Sequence, residues 1–468
     1  MKFTYIFLIL LTFYCCQSNT QNNDQVFIGG DIINPINNYV VLYDPNGQVD
    51  TLYLNSDNKF LHHFTDFKKG IHSFVHGGKY QSLLLEDNDS IMMHINTQDF
   101  DGSLNFNGTG AKKNNYLTKL LLKLEKQNSK NNNLYKQDPQ NFHVTITSEI
   151  TQNSEDLNLF LKENPSSDLF EKIALSTIKY HYFTKKELYP HRSLGHISST
   201  ISKKIPSNFY DFRKEIVYND KDLKDFYPYY NFLFPHINNL SFEQLKADQT
   251  ICNLESNNLK YTNYKLTLVD SLISNPLIKN NLLKYTVRNF ISNSKSIDKS
   301  YILYQSYLDK STNLKDKIYI KNLFKNIQGL QPGHQLPPIE VVDNKNIKSN
   351  INSIFNNTTV LYFWDNANRY HFENSHIKAK TLASLFPEIT FIAININSIH
   401  TNAWKNLIYT KQYNLENEYR FSNPSFAKKR LAINYIKKVL IVDKKGIILN
   451  ATADLFDSNF EKILEIFK

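Results

Sequence analysis

From residue 26 to about residue 106, apolar and polar positions alternate in short runs. Examples are QVFIGGDI, NYVVLYD, DTLYLN, KFLHHF, IHSFVHGG, QSLLLE and SIMMHIN. Successive side chains of a strand point to opposite faces, so such runs read as half-buried strands. Turn residues separate them, as at Asp44-Pro45-Asn46-Gly47 and Gly77-Gly78. Regular short strands with this spacing predict an antiparallel β-sandwich over residues 26–110. The period changes after Ala111, where NNYLTKLLLKLEKQ and DLFEKIALSTIKYHYF place apolar residues at helical spacing. Pro190, Pro206, Pro228 and Pro235 are expected to divide a helical section, residues 111–330, into several helices, with a loop in the asparagine-rich stretch 129–141.

A third section, residues 333–468, reads in a definite order. A strand at 360–364 is followed by a helix near 370–386, with Ile377, Leu382, Leu385 and Phe386 expected on one side. A strand at 390–396 and a helix near 402–417 come next. After a polar connection containing proline follow KKVLIVD, a turn at Lys444-Lys445-Gly446, IILNAT and a last helix from 458. The order β-α-β-α-β-β-α predicts a parallel pair joined by a crossover, then a hairpin and a covering helix. Its strands are apolar at nearly every position, so both sheet faces must be covered. The whole chain is expected to be an α+β multidomain protein.

Length and composition agree with this partition. At 468 residues the chain has room for roughly three domains. Hydrophobic residues make up 41% of it, enough for packed cores rather than a disordered chain. The formal charge of +10 comes from lysines scattered among asparagines, with no dense basic block, which excludes a nucleic-acid partner as an expectation.

The N-terminus adds a location. MKFTYIFLILLTFYCC has one early lysine and an apolar run from Phe3 to Tyr14, too short for the about 20 residues that span a bilayer. A run of this length suits a secretory h-region. Its ending on cysteine resembles a bacterial lipoprotein signal, in which the cysteine is diacylated and becomes the new N-terminus. That resemblance implies a signal peptide over residues 1–16, lipidation at Cys16, a polar tether at 17–25, and a membrane anchor. The expected location is the bacterial cell envelope, on the outer membrane facing the periplasm. An ordinary signal peptide cut nearby is the alternative. With Cys15 removed and Cys16 acylated, Cys252 is the one remaining thiol of the three cysteines, and no intramolecular disulfide can form. Cys252 is read as a small buried apolar side chain.

Candidate chemistry outside the third section is sparse. His62, His63, His72, His76 and His94 lie on expected strands and are read as surface or pairing residues, not metal ligands. His191 and His196 fall in a proline-flanked loop. The aromatic run FYPYYNFLFPH, residues 226–236, reads as core of the helical section or as the floor of a groove. No metal and no cofactor are expected.

The segments GHQLPPIEVVDNKN, VLYFW and KKVLIVDKKGIIL resemble the TlpA/ResA-type thioredoxin-like domains of bacterial envelope proteins, over residues 333–468. The stretch LNFNGTGAKKNNYL is similar to the end of the β-domain of unknown function that often precedes them. The resemblance implies a thioredoxin-like fold and thiol–disulfide exchange by a Trp-Cys-x-x-Cys motif directly after the first strand. Here the motif departs from the family. Counting from Phe363-Trp364, the two cysteine positions fall on Asn368 and His371, with Arg369 and Tyr370 between them. Exchange needs a thiolate nucleophile and a resolving thiol, which an amide and an imidazole cannot replace. The family's cis-proline position falls on Lys437, where a cis bond would cost about 2.5–4 kcal/mol, so a trans bond is expected. Asn366 or Asn368 is read as a helix N-cap, and the turn from Asp365 to His371 as a surface for a ligand or partner rather than a catalytic site. The expectation is a redox-inactive domain acting as a binding or scaffolding module for an unknown envelope protein. The alternative is a thiol–disulfide oxidoreductase working through Cys252 or a partner's cysteines.

Overall fold

The computed structural model describes residues 26–194, 205–247, 259–366, 368–397 and 401–467. Cys16, Cys252 and His196 lie outside the described residues. Two compact units are formed, the first from residues up to 216 together with 220–233, the second from 217–219 together with 234–468.

The first unit begins with eight strands: β1 (Phe27–Ile33), β2 (Tyr39–Tyr43), β3 (Val49–Tyr53), β4 (Lys59–His63), β5 (Gly70–His76), β6 (Lys79–Leu85), β7 (Ser90–Asn96) and β8 (Asn105–Thr109). They form two four-stranded sheets in the orders β4-β1-β7-β8 and β3-β2-β5-β6. Inward residues of both sheets meet in one core: Ile28, Ile91 and Met93 from the first, Val40, Leu42, Phe74 and Leu83 from the second. This is a sandwich, with one correction to the antiparallel expectation. β1 and β7 pair in parallel, Phe27 opposite Ser90 through Ile33 opposite Asn96. The close approach explains Gly30, where an added Cβ would meet the Met93 carbonyl oxygen at 2.2 Å.

A second correction concerns the histidines. His72 and His76, expected at the surface or in strand pairing, are fully buried. His76 Nδ1 donates to the Tyr39 carbonyl at 2.9 Å while Nε2 accepts the Ile36 N–H at 3.1 Å, so both ring nitrogens are satisfied. His72 stacks on Phe67 at 5.8 Å, and burial pushes its pKa down to about 4. The His94 ring contacts the Asp31 carboxyl at the surface, and His62 lies 3.9 Å from Asp50.

Helices α1 (Ala111–Lys130), α2 (Pro139–Glu163) and α3 (Asp168–Leu194) follow the sandwich. Part of the expected loop at 129–141 is therefore helical, and α2 starts where Asp138 caps the N–H groups of Gln140 and Asn141. Two of the four prolines do not break helices. Pro190 sits near the end of α3, where few helical hydrogen bonds remain to lose, and Pro235 lies inside α4 (Tyr227–Ala247) next to the buried His236. Most of the aromatic run 226–236 is core, Tyr227 being exposed: Tyr229 and Phe232 are fully buried and contact the Tyr180 ring at about 5 Å.

The second unit contains helices α5 (Leu259–Leu272), α6 (Pro276–Asn293), α7 (Ile297–Lys310) and α8 (Leu314–Gln328), then one seven-stranded sheet. Its strands are β9 (Glu340–Asp343), β10 (Lys348–Asn350), β11 (Thr359–Trp364), β12 (Thr390–Asn395), β13 (Glu418–Phe421), β14 (Lys438–Val442) and β15 (Ile448–Asp454), ordered β10-β9-β13-β12-β11-β14-β15. β11 runs parallel to β12 and antiparallel to β14, and β14 antiparallel to β15. The helices of this section are α9 (Arg369–Leu385), α10 (Thr401–Thr410), α11 (Pro424–Arg430) and α12 (Phe460–Glu465). The β-α-β-α-β-β-α order is therefore present. The β9-β10 hairpin, β13 and α11 are additions that the polar connection concealed.

All six residues of β11 are buried. Val360, Tyr362 and Trp364 meet Phe372, Ala379 and Leu382 of α9, Trp404 of α10 and Phe460 of α12 in one core. The helical face of α9 differs from the expected one. Leu382 and Phe386 face the core, but Ile377 and Leu385 are 64% and 55% exposed. The inward positions between them are taken by Ser375, His376 and Ala379.

Candidate functional site at the end of the central strand

The turn after β11 is tied down on every side. The Asn368 N–H donates to the Asp365 carbonyl at 3.1 Å, and the Asn368 side-chain oxygen accepts the His371 N–H at 3.1 Å. Asn368 is thus the N-cap of α9, a role that contributes about 1 kcal/mol. Asn366 accepts from Asn395 at 2.7 Å, and Asp365 accepts from Asn397 at 2.9 Å. The polar turn is thereby fastened to the carboxyl end of β12, the neighbouring parallel strand. In open α/β sheets the crevice outside these strand ends is where ligands bind.

The four positions counted from Phe363-Trp364 have different fates. Asn368 caps the helix. Arg369 pairs with Glu373 at 3.1 Å, and Glu373 also receives Lys411 at 2.7 Å. Tyr370 is 83% exposed. His371 is buried, with Nε2 at 3.4 Å from Ser375 Oγ and Nδ1 lacking any partner. Burial first, and then the charge of Lys437, hold the His371 pKa below its ordinary value, so the ring is neutral at pH 7. Lys437 itself comes to the same place. Its ammonium lies 6.0 Å from the Phe456 ring, and the His371 ring lies 5.9 Å from it. The two positions singled out by counting, one for the second cysteine and one for the cis-proline, are neighbours in space. No cis peptide bond occurs among the described residues.

Chemically, this surface can donate, accept and stack, but it presents no sulfur and no assembled nucleophile–base pair. The Ser375 hydroxyl donates to the His371 carbonyl at 2.8 Å and is buried. Among the described residues no group of three or more His, Cys, Asp or Glu side chains could hold a metal ion.

Directly beneath the turn lies a pair that the sequence did not reveal. His376 of α9 and Glu418 of β13 are both buried, with Nε2 and Oε1 2.9 Å apart. His376 Nδ1 donates to the Phe372 carbonyl at 2.6 Å, and the ring stacks on Tyr413 at 3.7 Å with an interplanar angle of 5°. Tyr362 and Trp364 present ring edges to it. Burial pushes the Glu418 carboxyl above its ordinary range, and the His376 hydrogen bond opposes this. His376 is a polar residue on the apolar face of α9, a signal visible in the sequence, but its partner sits on a strand that was not. A further buried cation, Lys438, begins β14. It donates to the carbonyls of Leu431 and Ala432 at 3.0 and 3.1 Å, and burial pushes its pKa down to about 7.

The first unit has its own pocket, about 440 Å³, lined by Gly108–Gly110, Lys112, Lys113 and residues 163–167. Part of its charge is matched: Glu86 accepts from Ser167, Lys113 and Lys69, and Lys113 also reaches Asp89 at 2.7 Å. The network fastens the sandwich to α1 and the start of α3.

Strand order and direction in the second unit, with β12 and β11 parallel and β14 and β15 antiparallel beside them, define a thioredoxin-like domain. No family model matches the chain, and no curated protein does. Solved structures do. A thioredoxin-like protein from Bacteroides caccae shares 11% identity and a TM-score of 0.34, covering 45% of this chain and 78% of its own. The thioredoxin domain of a thiol-disulfide oxidoreductase from Bacteroides vulgatus shares 17% identity and a TM-score of 0.25, covering 30% and 98%. A thiol:disulfide interchange protein from a Bacteroides species shares 16% identity and a TM-score of 0.25, covering 30% and 91%. Among the described residues no helix is long and apolar enough to cross a membrane.

Proposed function

We propose that this chain is a lipid-anchored envelope protein whose thioredoxin-like domain binds or scaffolds a partner without exchanging disulfides. The observation that supports the reading is the use made of the two motif positions. Asn368 caps α9, and His371 is buried against Phe456 and Ser375. Both residues belong to the packing of the turn, where a reactive pair would need one accessible thiolate and one resolving thiol. The surface left for a partner is the exposed rim of the same turn, Arg369 and Tyr370, with Lys437 beside it. Anchoring through Cys16 belongs to the same proposal.

Dithiothreitol-driven insulin reduction tests it, using the chain from residue 17 onward. The wild type is expected to be silent, and the Asn368→Cys/His371→Cys variant to gain activity. Robust turnover by the wild type would sink the proposal in favour of a thiol–disulfide oxidoreductase and make Cys252 the residue to pursue. The anchor is read separately: Cys16→Ala is expected to move the full chain from the membrane to the soluble fraction, and unchanged membrane partition would refute it.

A further inference from the structure

The outer face of the β3-β2-β5-β6 sheet carries an arrangement that the thioredoxin-like domain does not use. Register sets Tyr39 opposite Tyr53, and it aligns Thr51, Val41, Val75 and Tyr80 in one row across the four strands. Tyr43 occupies the next row, in line with Ser73 and Ser82. One end of this face is closed, because Leu84 packs into the helical core of the same unit. At the other end Tyr53, Tyr80, Tyr39 and Tyr43 are 70%, 52%, 38% and 37% exposed. Three of the four rings have contacts that orient them. The Tyr80 hydroxyl is hydrogen-bonded to Ser73 Oγ, and the Tyr39 and Tyr53 rings meet edge-on at 6.4 Å. Exposed aromatic rings fixed in advance lose little entropy when something stacks on them.

Two features choose the occupant. Apart from the phenols, no outward position in these rows carries an ionisable group, although the chain as a whole has a formal charge of +10. A charged polymer finds no counter-charge here. The size is also restrictive. Strand rise separates Tyr39 from Tyr43 by about 13 Å, and three strand spacings separate Thr51 from Tyr80 by about 14 Å. A shelf of roughly 200 Å² falls far short of the about 800 Å² per partner of a standard protein interface.

We propose that this tyrosine shelf binds a neutral oligosaccharide. The C–H faces of pyranose rings would stack on the exposed phenols, and the Tyr, Thr and Ser hydroxyls would exchange hydrogen bonds with sugar hydroxyls. The site is independent of the proposed scaffolding role.

Isothermal titration of the chain from residue 17 onward tests it, with neutral hexasaccharides of β-linked glucose, α-linked glucose, mannose and xylose, and a heparin hexasaccharide as the charged control. At least one neutral hexasaccharide is expected to bind, equally at low and high salt. Tyr53→Ala/Tyr80→Ala is expected to weaken that binding about tenfold or more with an unchanged melting temperature. Tyr53→Phe/Tyr80→Phe, which keeps the rings, is expected to retain most of it. The proposal is overturned if no neutral hexasaccharide binds, if binding survives the alanine pair, or if heparin is preferred. Self-association in sedimentation that the alanine pair abolishes would also overturn it, assigning the shelf to a second copy of this chain.

Discussion

Glu418→Ala is expected to lower the unfolding free energy by about 3–5 kcal/mol, as is His376→Ala. Either change leaves one member of a buried 2.9 Å pair without its partner, under the helix that carries the candidate site. The remaining group cannot turn to water, because Tyr413, Tyr362 and Trp364 enclose the His376 ring. Replacing both with leucine removes the orphan, so the double variant should be far less destabilised than the sum of the single ones. Urea unfolding of the four proteins measures the cycle, and strict additivity would deny the pairing. The pair also gives stability a pH dependence of defined sign. Burial raises the folded-state pKa of Glu418 above its ordinary value of 4.5, so the folded chain holds this proton longer than the unfolded one. Its contribution is fully present below about 4.5 and is lost as pH rises through the folded-state value. Glu418→Gln, which cannot ionise, should flatten that part of the profile.

The second large effect is expected at Asn280 of α6. Its side-chain oxygen accepts from the Ser311 hydroxyl at 2.8 Å and from the backbone N–H groups of Thr312 and Asn313 at 2.9 and 3.2 Å. Its amide donates to the Pro276 carbonyl at 2.7 Å and to the Thr312 hydroxyl at 2.9 Å. One buried side chain thereby closes the connection between α7 and α8. Asn280→Ala strands several of these groups at about 1–3 kcal/mol each before relaxation, so a net loss of about 3 kcal/mol is expected. Asn280→Asp keeps the oxygen but loses the donor, and it places a charge in a buried site, so it should be no better. Thermal unfolding with both variants decides this. A loss below about 1 kcal/mol for alanine would mean that the network is dispensable.

The legible parts of this chain were those whose pattern is set by burial alone. β11, β12 and β14 are apolar at nearly every position and announce themselves, as do the alternating runs of the sandwich. β13 did not. EYRF is short and half charged, and its Glu418 is buried only because His376, 42 residues earlier, meets it. The face of α9 was misread for a related reason. Ile377 and Leu385 look like core residues, yet Ser375 and His376 occupy the inward positions because they bond to the turn and to β13. Side-chain partners distant in sequence decide such cases, and periodicity carries no record of them. Similarly, His72 and His76 gave no sign of burial, since the Tyr39 carbonyl and Ile36 N–H that satisfy His76 come from another strand and its flanking loop. Asn368, His371 and Lys437, by contrast, were singled out by counting along the chain from the apolar strands. Asn368 then proves to cap α9, and His371 and Lys437 both come to the Phe456 ring.

The parallel pairing of β1 with β7 has a consequence for the order of assembly. β1 is the first strand, yet it lies inside its sheet, flanked by β4 and β7. Ile28 and Ile32 therefore cannot be fully covered until Ser90–Asn96 has been made and has come back alongside. Closing a loop of that length costs little more entropy than closing a shorter one, but contacts so far apart in sequence are slow to find. A chain emerging from its N-terminus first must wait with that strand only half paired until its seventh strand arrives, and β8 completes the sheet after it.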